Sequence, residues 1–526
     1  MVMAIMFCAF TACSDKGTDE LTIPPADTTA EGPLPVVKFD VPNARYRAMV
    51  GIPITIVSMS ENLDATTTYR WTQDGRVLGT ADTLSYTATT VGDTYIQLTV
   101  TNAYGSATDE LKVTATEGKT TDQQSAELVD NDSVFSWRFP WSSINVPVGR
   151  TLKVKAYMIE NDLDGTYTWT LDGNTVAGAS PGPSQGEEVS YVFDAAAAGQ
   201  GTHLLTLTMQ NDTCSFSKQF TITVCPAEGT YRRAVTPSSQ SLVNHVFEYM
   251  PAPGHQVNGY TVVGDFIHAG ATMEEACAKA LSHFQKQWSV SLGAQGGYII
   301  AGFDHSVENS GGDYDLVIRG NPFSYQSEPG VIWVSQDVNG DGKPNDPWYE
   351  LAGSEYGTEN CTQEYAITYY KPATPRSATG WRDCFGETGM VPHMAQWNEH
   401  DYYWQDWVED HPVDVRGHVS ETVEHTYFGT RLKDIHTYSG GYTLEPPFPW
   451  GYADNLGSDY INNETFAPTV RMGYYRISNA RTWDGREANL QYIDFVKVQT
   501  AQTGFSPNLG DISTEVYAIY DYHIAK

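Results

Sequence analysis

Residues 69–75 read Tyr69-Arg70-Trp71-Thr72-Gln73-Asp74-Gly75, and the phrase returns as Tyr167-Thr168-Trp169-Thr170-Leu171-Asp172-Gly173. Each copy puts one Trp at the centre of a short alternating run and ends in Asp-Gly. Alternation places every second side chain on one face of a strand, and Asp-Gly is a favoured two-residue hairpin turn. Downstream, YIQLTVTNAYGSATDELKVTAT (95–116) is matched in character by HLLTLTMQNDTCSFSKQFTITV (203–224). Each of these stretches reads as a closing hairpin through an Asn-containing turn. A Trp facing inward from such a strand needs a second sheet to cover it, so each copy predicts a two-sheet sandwich, at 36–116 and 125–226.

These repeats resemble PKD-like domains of the immunoglobulin type, and they carry no chemical motif, which makes them spacers in this reading. At 526 residues the chain has room for two to four domains. It holds 31 Lys and Arg against 64 Asp and Glu, a formal net charge of −33. That balance excludes general attraction to nucleic acid or anionic lipid, both of which require basic patches. The 32 Tyr, 13 Trp and 46 Gly favour strands and turns.

The third unit, 229–526, has one clear helical signature. Thr272-Met273-Glu274-Glu275 is a capping box, with Thr272 as N-cap. Met273, Ala276, Cys277, Ala280, Leu281, Phe284 and Trp288 follow on one face, which makes Cys277 a buried thiol. Beyond it come GYIIAGFDHSV, YDLVIRG, GVIWVSQDV, WYELAG, YAITYY, VRMGYYRI, YIDFVKVQT and EVYAIYDYH, separated by Gly, Asn and Asp. The expected fold class is therefore all-β: two Ig-like (PKD-like) sandwiches and then a larger jelly-roll β-sandwich with one packed helix. Between 372 and 460 the periodicity weakens, and long irregular segments on a β scaffold are where function concentrates.

The first residues, MVMAIMFCAFTACSDKGTDE, hold an apolar stretch too short to span a bilayer, ending in Phe10-Thr11-Ala12-Cys13. It resembles the lipobox of bacterial lipoproteins, which implies acylation at Cys13 and a signal peptide over 1–13. No Lys or Arg precedes the apolar run, so the true start is expected upstream. The acidic SDKGTDE that follows resembles the export signal of surface lipoproteins, and 14–35 reads as a flexible linker. Of the remaining cysteines, Cys214 and Cys225 in a straight strand would lie roughly 35 Å apart at about 3.3 Å per residue. Cys361 with Cys384 is the one disulfide pairing to test.

QDVNGDGKPNDPWYE (336–350) aims Asp337, Asn339 and Asp341 from alternate positions, with Gly342 next, as in the first half of an EF-hand loop. Trp348 stands where the bidentate Glu belongs, so a Ca²⁺ sensor is not expected. Two readings remain: a structural Ca²⁺ loop completed by Asn345 or Asp346, or a polar hairpin without metal. Most enzyme signatures fail, and spacing alone leaves a glycosidase carboxylate pair open. Gly178-Ala179-Ser180-Pro181-Gly182 fits GxSxG, but Pro181 has no N–H for an oxyanion hole. His411, His418 and His425 are seven apart in a stretch whose Pro412 and Gly417 oppose a helix. HDYYW (400–404) strings three rings on a polar segment, either as a stacking platform or as simple packing.

SLGAQGGYIIAGFDHSVENSGGDYDLVIRGNPF, EPGVIWVSQDVNGDGKPNDPWYELAGSEY, WGYADN and YIDFVKVQTAQTGFSPNLGDISTEV resemble the C-terminal domain of Bacteroidetes-type surface lipoproteins that bind cobalamin. The resemblance covers 229–526 and departs most over 376–445. It implies a non-enzymatic protein on the outer membrane, lipid-anchored at the cell surface, that binds cobalamin or another corrinoid and passes it to an outer-membrane transporter. Capture of such a ligand needs aromatic walls and amide partners, and WNEHDYYWQDW (397–407) offers both. The expected ligand wall is Trp397, Asn398, Tyr402, Tyr403, Trp404 and Trp407; the expected Ca²⁺ ligands are Asp337, Asn339, Asp341, Asn345 and Asp346. The strongest rival reading is a glycan-binding or adhesive surface lipoprotein, since jelly rolls with structural Ca²⁺ and exposed Trp also suit sugar rings; the third is a glycoside hydrolase with an unrecognised carboxylate pair.

Overall fold

The computed structural model describes residues 32–39, 44–51, 53–116, 137–158, 166–176, 189–210, 215–257, 271–372, 377–393, 404–408, 423–439, 442–506 and 510–524. The chain is all-β. Both Trp-bearing repeats are sandwiches of the same winding. In the first, one sheet runs Arg45–Met49, Gly105–Thr116, Gly92–Asn102, Thr68–Gln73, Arg76–Gly79, faced by the Pro53–Val57 and Thr83–Thr87 pair. In the second, Ser143–Pro147, Ser215–Cys225, Gly201–Gln210, Thr166–Leu171 and Asn174–Thr175 repeat that order. The first strand pairs parallel to the last in both, Arg45 opposite Lys112 and Ser143 opposite Thr221.

The quoted phrase accounts for the sandwiches. Trp71 and Trp169 are both fully buried, at the centre of their clusters. The Trp71 indole N–H donates to the Ala81 carbonyl at 2.8 Å. Asp74 and Gly75 have φ of 48° and 79°, and Asp172 and Gly173 have 50° and 80°. Left-handed backbone at both central positions is what a type I′ hairpin turn requires.

In the third unit the strand ladders are antiparallel, and neighbours come from distant parts of the chain. A six-stranded sheet runs His245–Met250, Tyr298–Glu308, Tyr492–Thr500, Gly330–Ser335, Trp348–Leu351, Ala480–Arg481. One of its faces packs on the main core together with the helix Met273–Lys286. A four-stranded sheet, Tyr460–Asn463, Ala467–Tyr475, Leu316–Arg319, Ala518–Asp521, covers that core. The capping box is complete: Thr272 Oγ1 accepts from Glu275 N at 3.2 Å, and Glu275 Oε2 accepts from Thr272 N at 2.9 Å. Cys277 is buried, and burial pushes its thiol up to about 12, so it is inert at neutral pH.

Three expectations are corrected here. Trp288 is not on the packed face: the helix ends at Lys286, and the left-handed φ of 55° at its C-cap, Gln287, turns the chain and leaves Trp288 exposed. Cys361 and Cys384 are free thiols. Cys361 sits opposite Leu432, whereas the Cys384 N–H bonds to Ala366, so the two belong to different parts of the sheet. The stretch 372–460 is also less irregular than its sequence suggests. It contributes Thr379–Asp383, Thr388–Val391 and Glu424–Leu432 to a second four-stranded sheet with Cys361–Tyr370. Alternation fails there because Glu424 and Thr426 are buried polar residues on a strand paired along its length.

Candidate functional site

The six-stranded sheet has one transverse row in which each residue pairs directly with the next. Glu248 lies opposite Ile300, Ile300 opposite Lys497, Lys497 opposite Trp333, Trp333 opposite Glu350, and Glu350 opposite Arg481. Directly paired residues share a face, so six strands deliver six side chains in line, over about 24 Å at ~4.8 Å per strand. All six line a single cleft of about 2110 Å³. That exceeds the roughly 300–1,000 Å³ typical of small-molecule pockets and suits a larger ligand.

The row is chemically graded. The Lys497 ammonium lies 4.3 Å from the centroid of the Tyr298 ring and 5.9 Å from that of Trp333. Its place on the sheet floor pushes it down to about 8, with Glu248 opposing that effect. The Tyr298 hydroxyl donates to Glu248 Oε2 at 2.7 Å. Glu350 accepts from Thr430 Oγ1 at 2.6 Å, and burial lifts its carboxyl to about 7. The Trp333 indole N–H is buried with no acceptor among the described residues.

The opposite wall comes from the second sandwich, which therefore does more than separate domains. Phe139, Trp141, Lys153, Tyr157 and Lys218 face the floor, with Trp348 and Trp483 at the third unit's side. The joint is specific. Arg138 pairs with buried Glu424. Lys153 and Lys155 meet Glu364 Oε2 at 3.0 and 3.2 Å. Glu364 has a left-handed φ of 53° at a bulge between Thr362 and Tyr365, a kink that re-aims one side chain out of the ladder. The Trp483 N–H donates to Thr151 Oγ1 at 3.0 Å, and the Tyr157 and Phe428 rings lie 4.9 Å apart. The cleft lining holds seven Lys and Arg against six Asp and Glu. In a chain with twice as many acids as bases, that is a local reversal favouring a ligand with anionic character.

The loop read as a Ca²⁺ site lies at the same joint. Asp337 is buried, its carboxylate accepting from Gly340 N at 2.7 Å and Gly342 N at 3.0 Å. Asn339 Oδ1 accepts from Asp341 N at 3.0 Å, and the Asn345 side chain donates to Asp341 Oδ2 at 2.9 Å. Asn345 also reaches the second sandwich: Asn145 N donates to its carbonyl at 3.0 Å and Asn145 Nδ2 to its Oδ1 at 2.9 Å. Asp346 is buried, and among the described residues neither of its oxygens has a donor in hydrogen-bonding geometry, the Val338 backbone and the Asn145 side chain being the donors nearest to it. Burial and the neighbouring Asp337 and Asp341 push its carboxyl up to about 8, tempered by Val338 and Asn145 close by. A buried carboxylate with two orphan oxygens beside two more acids fits a hard divalent cation. Trp348 lies on a strand and supplies no ligand atom.

Of the expected ligand wall, Trp397, Asn398, Tyr402 and Tyr403 lie outside the described residues, as does Cys13. Trp404 is buried in the cluster of Tyr365, Tyr369 and Tyr427. Trp407 is half-buried and donates its N–H to the Tyr249 carbonyl at 2.9 Å. Those two rings are packing residues, because the sheet they cover offers apolar surface and an acceptor. His425 lines the cleft with its ring 4.6 Å from Tyr427, whereas His411, His418 and the GxSxG stretch fall outside the described residues. Sequence reading missed Lys497, Trp333, Glu350 and Trp483. One available signal was the Lys in YIDFVKVQT, a charge inside an otherwise apolar strand.

Comparison with known protein families finds no match, and comparison with curated proteins finds none either. Among solved structures, the chain is similar to fibronectin(III)-like modules of Clostridium thermocellum CbhA, at 15% identity over 38% of this chain and 100% of that one, with a TM-score of 0.17. A tandem of titin Ig domains is similar at 11% identity over 38% and 100%, also with a TM-score of 0.17. The Ig-like assignment stands on the strand order and the buried Trp of each repeat.

Proposed function

We propose that this chain is a surface lipoprotein, acylated at Cys13, that binds cobalamin or a related corrinoid in the cleft and passes it to an outer-membrane transporter. The reading assigns it no catalytic step. A corrinoid is a broad, amide-fringed macrocycle with a nucleotide tail bearing a phosphodiester. It calls for a wide aromatic-walled site, amide partners, and cations in excess of acids. The observation that carries the reading is the cleft, about 2110 Å³ and lined by Trp333, Trp348, Trp483 and Lys497. Ca²⁺ in the 337–346 loop has a structural role in this reading: it neutralises Asp346 and firms the Asn345–Asn145 contact that holds one cleft wall.

A glycan-binding role is the second reading, favoured by Trp141, Trp348 and Trp483 along the cleft, since indole faces also stack on sugar rings. Calorimetry on the full chain with cyanocobalamin and with a panel of oligosaccharides separates the two. Heat with cyanocobalamin that is lost in Trp333→Ala and Lys497→Glu supports corrinoid capture in the cleft. Saturable sugar binding with no response to cyanocobalamin replaces it with the glycan reading.

A further inference from the structure

A second set of buried acids lies away from the cleft, where three distant segments meet. Glu328, Asp454 and Glu515 each offer a carboxylate oxygen within 4.8 Å of the others. Backbone bonds hold the segments together: Glu328 N donates to the Asp454 carbonyl at 3.0 Å, and Glu515 N to Asp454 Oδ2 at 2.9 Å. Ser513 N donates to a Glu328 carboxylate oxygen at 3.0 Å, and Asn321 N to Asp454 Oδ1 at 2.7 Å. Close approach is built in at Gly320, where a Cβ would meet Asp454 Oδ1 at 2.5 Å.

Acidic clusters are common, and these three residues alone would mean little. Two further observations point to a missing positive charge. Glu515 is 6% exposed, and although Ser291, Ser513 and Glu328 are side-chain hydrogen-bonding neighbours of its carboxyl, its Oε1 has no partner among the described residues. Glu445 is 4% exposed, its charge bears on Glu328, and its Oε2 has no hydrogen-bond partner among the described residues, although the His436 charge acts on it. Among the described residues no Lys, Arg or His forms an ion pair with Glu328, Asp454 or Glu515. Left alone, such a group must hold protons against its preference: burial raises all three carboxyls, Asp454 to about 7, and the neighbouring acids push Glu328 and Glu515 up further. Protons satisfy carboxyl pairs but leave the orphan oxygens of Glu515 and Glu445 without a donor.

We propose that Glu328, Asp454 and Glu515 hold a hard divalent cation of the Ca²⁺ or Mg²⁺ class, in a site separate from the 337–346 loop. An all-oxygen, all-carboxylate donor set selects hard cations over zinc or copper. Three carboxylates from three segments can bind with one or two oxygens each, the mixed denticity Ca²⁺ accepts and Mg²⁺ resists, so Ca²⁺ is the favoured ion. The site's role is structural. It joins the Glu515–Val516 strand to the segments around Glu328 and Asp454, and it does not depend on the corrinoid reading.

The test uses the full chain stripped with EDTA and titrated calorimetrically with Ca²⁺, and with Tb³⁺ followed by luminescence excited through nearby Tyr460 and Tyr475. Asp346→Asn removes the loop site from consideration. In that background we expect one Ca²⁺ per chain to remain, and Glu515→Gln added to it to abolish that ion. Should Glu515→Gln fail to fold, Glu328→Gln, at the part-exposed member of the cluster, serves instead. An Asp346→Asn chain that binds no ion overturns the proposal, as does a folded triad variant that keeps the full complement. Retention of Mg²⁺ but not Ca²⁺ in the Asp346→Asn chain keeps the site and corrects the favoured ion.

Discussion

Asp346→Asn removes one charge and keeps the side chain's shape, which makes it a clean probe of the joint. In the folded chain without a cation, the Asp346 carboxyl is held near 8 against an ordinary 3.8. The sign follows from proton counting. Between those values the folded state keeps a proton that the unfolded state has lost, so stability falls as pH rises towards 8 and is recovered on acidification. Each tenfold change in proton affinity is worth about 1.4 kcal/mol, so the penalty at pH 8 is on the order of 5 kcal/mol before relaxation and water entry reduce it. In EDTA at pH 8, Asp346→Asn is therefore expected to be more stable than wild type by a few kcal/mol, and near equal at about pH 4. Excess Ca²⁺ reverses the order at pH 8, because the cation stabilises only the carboxylate. The assay is urea unfolding of both proteins at the two pH values, with EDTA or Ca²⁺. Comparison between the proteins cancels the other buried acids, such as Glu350 and Asp459, which also carry raised values. Identical curves for the two proteins in EDTA, with no separation when Ca²⁺ is added, would refute the assignment of Asp346 as an uncompensated buried charge.

Trp71→Ala should destabilise the first sandwich by about 3–5 kcal/mol in denaturant unfolding, whereas Trp288→Ala, at a side chain 53% exposed, should change it by less than about 0.5 kcal/mol. Thr272→Ala removes the side-chain half of the capping box and should cost about 1 kcal/mol, read from the denaturant midpoint. Lys497 is held near 8, charged below that pH and neutral above it. Cyanocobalamin affinity in the cleft should therefore weaken as pH rises through 8, and Lys497→Met should flatten the profile, both measured by calorimetry.

Local physics made much of the fold legible. An Asp-Gly pair adopts left-handed backbone with little help from its surroundings, and a lone Trp in an alternating strand has one face on which to hide. Thr272 and Glu275 satisfy each other's backbone within four residues. The same approach failed at 372–460, where buried polar residues such as Thr426 erased the alternation. It also failed at Trp404 and Trp407, because a ring's neighbours decide whether it packs or projects, and these two rings found Tyr369, Tyr427 and the Tyr249 carbonyl.

By itself, the sequence determined the repeated sandwiches, their turns, the capped helix and the acidic loop at 337–346, all of which depend on residues close together along the chain. Only the tertiary structure decided the cleft. Its floor draws Glu248, Ile300, Lys497, Trp333, Glu350 and Arg481 from six separate strands, and its far wall belongs to another domain. Strand register places those six side chains in one row, and register between distant strands is set by how the sheets pack together, which leaves no mark in any single stretch of sequence.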